Sequence, residues 1–170
     1  EIIDSQVMLS AEQQIRRILT TEGTSIREVR THYRVSAMAI AVAEDGMELQ
    51  TYEYLDFGNL NNRPSAEEMK QLVHNAAQKA QDLRKAPLID PYVGPAILRG
   101  RASAVFFHEI LGHRVEGHRQ KDEDEGQTLT DKVNQEIFPS FINITDNPTI
   151  QRFEDVDLNG YYLYDDEGVA

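Results

Sequence analysis

Residues 25–55 read SIREVRTHYRVSAMAIAVAEDGMELQTYEYL, and this stretch decides the fold. Its two halves are rich in β-branched and alternating apolar positions, which is typical of strands. Between the halves, Asp45 and Gly46 form a dipeptide that favours a tight hairpin turn. The stretch therefore predicts two antiparallel strands that are joined at this turn.

Helices are predicted on both sides of the hairpin. After it, Ser65 and Glu68 have the spacing of a capping box. Apolar residues at helical spacing follow: Met69, Leu72, Val73, Ala76, Ala77, Ala80 and Leu83. Before the hairpin, Ser10 and Gln13 also match a capping box and predict a short helix up to about residue 21. An antiparallel sheet with two flanking helices, an α+β fold, is the prediction for residues 1–86.

The second half of the chain has a different organisation. KAPLIDPYVGP (85–95) contains three of the six prolines and predicts a linker. AILRG (96–100) predicts a short strand, and a buried helix is predicted from Ala102 to about Gly117. We therefore assign residues 87–120 to a linker, a strand and this helix.

An acidic loop and a β-rich region are predicted for residues 121–170. The charged stretch RQKDEDEGQTLTDK (119–132) has no apolar periodicity. EIFPSFINITDNP (136–148) and VDLNGYYLYDDEG (156–168) then resume a β-and-turn pattern. This pattern indicates the start of a C-terminal β-domain.

Composition excludes several classes of function. The formal net charge of -12 argues against binding to nucleic acid or to an anionic membrane, since both require a basic surface. The 170 residues include no cysteine, which excludes disulfides, a cysteine nucleophile and cysteine metal ligands within them. The chain starts without an initiator methionine, so we expect an internal fragment whose missing N-terminus leaves an export signal open.

The stretch FFHEILGHRVEGHRQ (106–120) holds three of the five histidines at five-residue intervals. At about 100° per residue, the apolar side chains occupy one side of the helix. The other side gathers a mainly polar set: His108, Gly112, Val105, Glu116, Glu109 and His113. A glycine within a helix costs about 1 kcal/mol relative to alanine. It indicates either a need for space or backbone freedom, or close packing of a neighbouring element.

The five-residue spacing is unfavourable for a metal site on a regular helix. His108 and His113 would point about 140° apart, too far to hold one ion comfortably. A π-bulge would bring positions i and i+5 together. Alternatively, pairs on one face would bind the ion, Glu109 with His113 or His113 with Glu116. A site rich in glutamate would favour harder ions than zinc, such as manganese or iron.

The histidine stretch and its flanking segments resemble the TldD/PmbA family of peptidases, also called the modulator of DNA gyrase family. The flanking segments are YVGPAILRGRAS (92–103), ITDNPT (144–149) and YLYDDEGV (162–169). The family signature H-E-x-x-x-H matches His108, Glu109 and His113 residue for residue. The resemblance is sharpest over residues 92–169 and looser before them.

The resemblance implies a zinc metallopeptidase that hydrolyses peptides or unfolded segments. It implies that His108 and His113 are zinc ligands and that Glu109 is the general base. In the family the third ligand is a cysteine of a C-terminal β-domain, so here it would come from outside this chain, and the fragment alone would be inactive. A homodimer, or a heterodimer with a related subunit, and a cytoplasmic location are implied in the same way.

Other interpretations stay open. The chain is alternatively a noncatalytic binding or partner subunit, in which the histidine helix only packs. Glu116 either orients a metal-binding histidine or is a solvated carboxylate at the helix end. His118 suits the helix dipole without any metal, because cationic side chains are favourable at a helix C-terminus.

Overall fold

The structure is a computed structural model that describes residues 1–121, 124, 126–154 and 156–170. Of Gln120 it describes the backbone alone. These residues form two compact units. The first comprises residues 1–88 and 146–170, and the second comprises residues 89–145. A three-stranded antiparallel sheet, helices and a further small sheet confirm the predicted α+β class.

The predicted hairpin is present. β2 (Ser25–Val42) and β3 (Glu48–Phe57) pair antiparallel on either side of the Asp45–Gly46 turn. Gly46 has a φ of 90°, a left-handed conformation that glycine adopts without steric cost. The Asp45 carboxylate accepts a hydrogen bond from the Met47 N–H at 3.0 Å. The residues of the turn thus stabilise the register that joins the two strands.

The first element is a strand, β1 (Ile2–Leu19), so the helix predicted over residues 10–21 is wrong. β1 pairs antiparallel with β2 along almost its whole length, ending with Leu19 opposite Ser25. This pairing satisfies backbone donors and acceptors with partners that are distant in sequence. The capping-box pattern at Ser10 is a local signal, and the non-local ladder overrides it. The sheet therefore has one flanking helix.

That helix is α1 (Ala66–Lys85), which begins where the sequence predicts. The capping box is confirmed: the Ser65 hydroxyl accepts from the Glu68 N–H at 3.2 Å. In return, the Glu68 carboxylate accepts from the Ser65 N–H at 2.7 Å, and this bond holds the pKa of Glu68 below its usual value. The helix buries residues spaced by four, which lie on one face: Leu72, Ala76 and Ala80.

The core lies between α1 and the sheet. Alternate residues of β2 are buried there: Val35, Ala37, Ala39 and Ala41. Small side chains on both elements let the helix backbone approach the strands. The Thr51 hydroxyl donates to the Ala76 carbonyl at 2.6 Å and links β3 directly to the helix. Leu72 is the largest helix residue in this core, and burying such a side chain contributes about 1.5–3 kcal/mol.

Residues 146–170 belong to the first unit. They contain a two-stranded antiparallel sheet, β4 (Arg152–Phe153) and β5 (Val156–Asp157). The Asp157 carboxylate accepts from the Gly58 N–H at 2.9 Å, which is the main reason its pKa lies below the usual value. Among the described residues after 135, these are the only strands, so the predicted β-rich region is much less regular than its pattern indicates.

The second unit contains the histidine helix in three sections. These are α2 (Arg101–Phe107), a π-helix (His108–Gly112) and α3 (His113–Val115). The strand predicted at residues 96–100 is wrong: the segment is irregular, and Ile97 is 85% exposed. No strand of the described chain lies beside it, and an unpaired strand leaves its backbone groups without partners.

Within the described part of the chain, the apolar side of the histidine helix is not buried, contrary to the prediction. Phe106 is 44% exposed and Val115 is 55% exposed. The described part of the second unit offers only short helices and irregular segments, so no second layer covers this side.

The acidic loop predicted over residues 119–132 includes residues 122, 123 and 125, which lie outside the described part of the chain. Short 3-10 helices flank them, Gly117–Lys121 and Thr130–Lys132. None of the helices in the described ranges combines the length and the hydropathy that a membrane span requires.

Two serine substitutions test the assignment of helix and strand. Ser65→Ala removes the acceptor for the Glu68 N–H, so we expect the free energy of unfolding to fall by about 1 kcal/mol. Ser10→Ala alters an exposed strand residue, and we expect a change within about 0.5 kcal/mol. Urea unfolding followed by circular dichroism measures both. Equal losses for the two variants would contradict the strand assignment of residues 10–19.

Candidate metal centre

A change in backbone hydrogen bonding occurs within the histidine helix. Where α2 ends, the His108 N–H donates to the Ala104 carbonyl, the i to i−4 bond of an α-helix. Five residues later the His113 N–H donates to the His108 carbonyl, the i to i−5 bond of a π-helix. The π-helix covers residues 108–112, so the π-bulge that the sequence offers as one of two alternatives is present.

The π-helix brings the two imidazoles together. The ring centroids of His108 and His113 lie 4.3 Å apart, with an angle of 74° between the ring planes. On a regular helix the same two positions would point about 140° apart. Of the two arrangements that the sequence leaves open, the structure therefore contains the π-helix, which places the two imidazoles side by side.

Glu109 completes a cluster with the two histidines. One ligand atom from each of His108, Glu109 and His113 lies within 4.8 Å of the others. Two atoms on one zinc ion lie at most about 4.2 Å apart, since each bond is about 2.1 Å long. Small side-chain movements would therefore let these residues hold one ion. Two imidazole nitrogens and a carboxylate are also a donor set that transition metals accept.

The cluster is open to water in the described chain. The His108 side chain is 59% exposed and that of Glu109 is 62% exposed, whereas that of His113 is 35% exposed. The Glu109 carboxylate lies 4.0 Å from His108 Nε2, which is too long for a hydrogen bond. Glu109 is therefore free to turn toward a molecule that lies between the two imidazoles.

A second carboxylate contacts His113 from outside the cluster. Glu116 Oε1 lies 3.0 Å from His113 Nδ1. Arg119 donates from Nε to the other oxygen of this carboxylate. The hydrogen bond from Arg119, followed by that from His113, holds the pKa of Glu116 below its usual value. The sequence analysis does not identify Arg119 as a functional candidate. The signal that could have indicated this contact is its position three residues after Glu116, beyond Gly117.

Gly112 lies beside the first histidine. A methyl group added at this glycine would lie 3.8 Å from His108 Nδ1, an ordinary van der Waals contact. Its φ of −46° is helical, so no left-handed conformation requires glycine here. The structure thus leaves room for a small side chain at this position, whereas a large one would meet the imidazole.

The remaining histidines lie outside the cluster. His118 Nε2 is 3.7 Å from Glu116 Oε2. His32 Nε2 lies 2.8 Å from the Asp56 carboxylate in the first unit. His74 is exposed on α1. None of the three joins the metal cluster found among the described residues.

Substitution of Gly112 tests how the imidazoles are spaced. We expect Gly112→Ala to fold and to bind a divalent metal ion within about threefold of the wild-type affinity, because the added methyl group has room. We expect Gly112→Leu to weaken metal binding by at least about tenfold, because the longer side chain displaces the His108 ring. Chelator competition on the full-length protein measures both affinities. Equal weakening by alanine and leucine would show that backbone freedom, and not space, is what glycine supplies.

Comparison with known proteins agrees with the geometry of the cluster. Residues 3–84 match the PmbA/TldA metallopeptidase central domain, and residues 92–170 match the PmbA/TldA metallopeptidase C-terminal domain. A curated protein of Methanothermobacter thermautotrophicus named "Metalloprotease" is 30% identical over 153 residues, which are 89% of this chain and 31% of that protein. No solved structure matches the chain. With both domains matched and the H-E-x-x-x-H residues gathered at one point, the chain belongs to the PmbA/TldA metallopeptidase family.

Proposed function

We propose that this chain is part of a zinc-dependent peptidase that hydrolyses peptides or unfolded polypeptide segments. The observation that carries the proposal is the convergence of His108, Glu109 and His113 at the π-helix. A two-histidine site with an adjacent glutamate is the arrangement that many zinc peptidases use. Membership of a metallopeptidase family supports the same chemistry.

In this proposal the two imidazoles are the metal ligands of the chain. A bound zinc ion would supply Lewis acidity, which activates water and polarises a peptide carbonyl. His108 and His113 would hold that ion through ring nitrogens, which the π-helix places side by side. Catalytic zinc sites commonly have three protein ligands. The resemblance to the TldD/PmbA family implies that the third is a cysteine, which would come from outside residues 1–170, since these residues include none.

Glu109 has the role of general base. It follows His108 directly in the chain, and its carboxylate lies within the cluster without a hydrogen bond to either histidine. A carboxylate in this position would accept a proton from the attacking water and return it to the leaving amine. Its exposure leaves it free to reach both partners during the reaction.

The proposal concerns a larger protein than these residues. The chain spans 31% of the length of the curated relative that it matches. The peptide substrate, and a dimer with an identical or related subunit, are therefore proposed for the full-length protein. Two domain matches in one chain support the view that both regions act together in that protein.

Replacement of the proposed base gives the most direct test of the reaction. In the full-length protein, we expect Glu109→Gln to lower the kcat for peptide hydrolysis by about 10²- to 10⁴-fold, because an amide cannot accept the proton. The zinc content, measured by elemental analysis, should stay at the wild-type level, because Glu109 is not a ligand in the proposal. Glu136→Gln, which alters an exposed carboxylate of the second unit, is the matched control and should leave hydrolysis unchanged.

Two outcomes would contradict the proposal. Unchanged hydrolysis in Glu109→Gln would exclude Glu109 as the base. Full-length protein that contains no zinc and loses no activity on chelation would favour a noncatalytic partner subunit instead. Manganese or iron in place of zinc would be visible in the same elemental analysis.

A further inference from the structure

The chain turns back on itself directly after the second histidine of the cluster. α3 ends at Val115, and Glu116 leaves the helical conformation with a ψ of 114°. A 3-10 helix, Gly117–Lys121, follows, and the Arg119 N–H donates to the Glu116 carbonyl at 3.2 Å. This short turn places the side chain of Arg119 beside Glu116 and His113, which precede it by three and six positions.

Both oxygens of the Glu116 carboxylate are engaged. Oε1 lies 3.0 Å from His113 Nδ1, and Oε2 accepts from Arg119 Nε. His118 lies 3.7 Å from Oε2, beyond hydrogen-bond distance, so Arg119 is the closer partner. The side chains of His113, Glu116 and Arg119 are 35%, 33% and 32% exposed, well below the 59% of His108. The His113 side chain is therefore more shielded from water than that of His108.

The contact with the Glu116 carboxylate favours one position of the proton on the His113 ring. A neutral imidazole has one N–H donor and one acceptor nitrogen. With the proton on Nδ1, the ring donates to Glu116 Oε1 over 3.0 Å. With the proton on Nε2, the lone pair of Nδ1 would face a carboxylate oxygen at the same distance, and two acceptors repel each other. Arg119 Nη2 lies 3.3 Å from the same Nδ1 and would donate to it in the Nε2-protonated tautomer, so the two neighbours favour opposite tautomers. The shorter contact, at 3.0 Å to the Glu116 carboxylate, favours the proton on Nδ1.

The charge on Glu116 strengthens this preference. Glu116 forms an ion pair with the Arg119 guanidinium, and a carboxylate acts only as an acceptor. A hydrogen bond to an ionised acceptor is stronger than one between neutral groups. The proton is therefore expected on Nδ1, which leaves the lone pair of Nε2 available.

We propose that Glu116 and Arg119 are positioning residues, which fix His113 in the tautomer and ring orientation that present Nε2 to the metal ion. The inference rests on the proposed function for the identity of the metal, while the tautomer is a property of the metal-free chain. Among the described residues His108 has no such support, since the carboxylate recorded beside it, that of Glu109, is 4.0 Å away. His113 is thus the pre-oriented ligand, and His108 adjusts to the ion.

The affinity of the full-length protein for zinc, measured by competition with a chromophoric chelator, tests this proposal. Loss of a carboxylate that orients a ligating histidine costs about 10- to 100-fold in metal affinity. We expect a loss of this size for Glu116→Ala, and a smaller one for Glu116→Gln, whose amide oxygen still accepts a hydrogen bond. Arg119→Gln should weaken binding in the same direction. Glu136→Gln is the control, with an unchanged affinity.

A spectroscopic measurement separates positioning from a general structural role. In metal-free protein labelled with ¹⁵N-histidine, the imidazole signals that disappear in His113→Asn belong to His113. We expect their shifts to show a proton on Nδ1 in the wild type, and a mixture of tautomers in Glu116→Ala. Saturating zinc should restore most hydrolysis in Glu116→Ala but none in Glu109→Gln, because only the second variant lacks the proposed base.

Three results would overturn the inference. The first is a zinc affinity of Glu116→Gln and Glu116→Ala equal to that of Glu136→Gln. The second is a proton on Nε2 of His113 in the wild type. The third is a loss of zinc affinity in both Glu116 variants that accompanies a fall in their thermal stability, while the tautomer of His113 stays unchanged. If the wild type bound no zinc, the proposed function would fail, while the imidazole shifts would still decide the inference.

Discussion

One backbone hydrogen bond, from the His113 N–H to the His108 carbonyl, is the constraint on which the candidate metal centre depends. It spans five residues where an α-helix would span four, and it widens the helix by one residue at this turn. The widening turns a separation of about 140° between two side chains into a pair of rings 4.3 Å apart. A spacing that would disperse the histidines on a regular helix therefore brings them together here.

The rest of the site is assembled from the same short segment. Glu109 enters the cluster because it lies within the π-helix, and Glu116 reaches His113 because the helix ends there. Arg119 returns to this carboxylate through the 3-10 turn that follows. Proposed ligands, base and positioning residues thus all lie within residues 108–119. Such an arrangement fixes their relative positions through local backbone geometry.

Sequence reasoning succeeds where the structural cause is local. The turn at Asp45–Gly46 and the cap at Ser65 depend on residues within a few positions, and both are present. It fails for β1, because a ladder with β2 outweighs the capping-box pattern at Ser10. It fails also for residues 96–100, which have strand-like side chains but no neighbouring strand in the described chain.

The candidate site shows the same division. The sequence alone identifies the polar sector of the helix and offers a π-bulge as one of two solutions, but the choice between them depends on backbone hydrogen bonds. The contact of Arg119 requires the helix to stop at Glu116, which the spacing of apolar residues does not specify. The apolar side of the helix, with Phe106, looks like a core face in sequence, yet burial depends on what packs against it.

A crystal structure of the metal-loaded full-length protein, with anomalous data at the zinc absorption edge, tests the central claim most directly. We expect one zinc ion that is bound by both His108 and His113, with the hydrogen bond from His113 to His108 retained. A regular α-helix through residues 108–113 with both imidazoles on the ion would show that the π-helix is not what brings them together. A zinc ion bound elsewhere in the protein would contradict the assignment of the site itself.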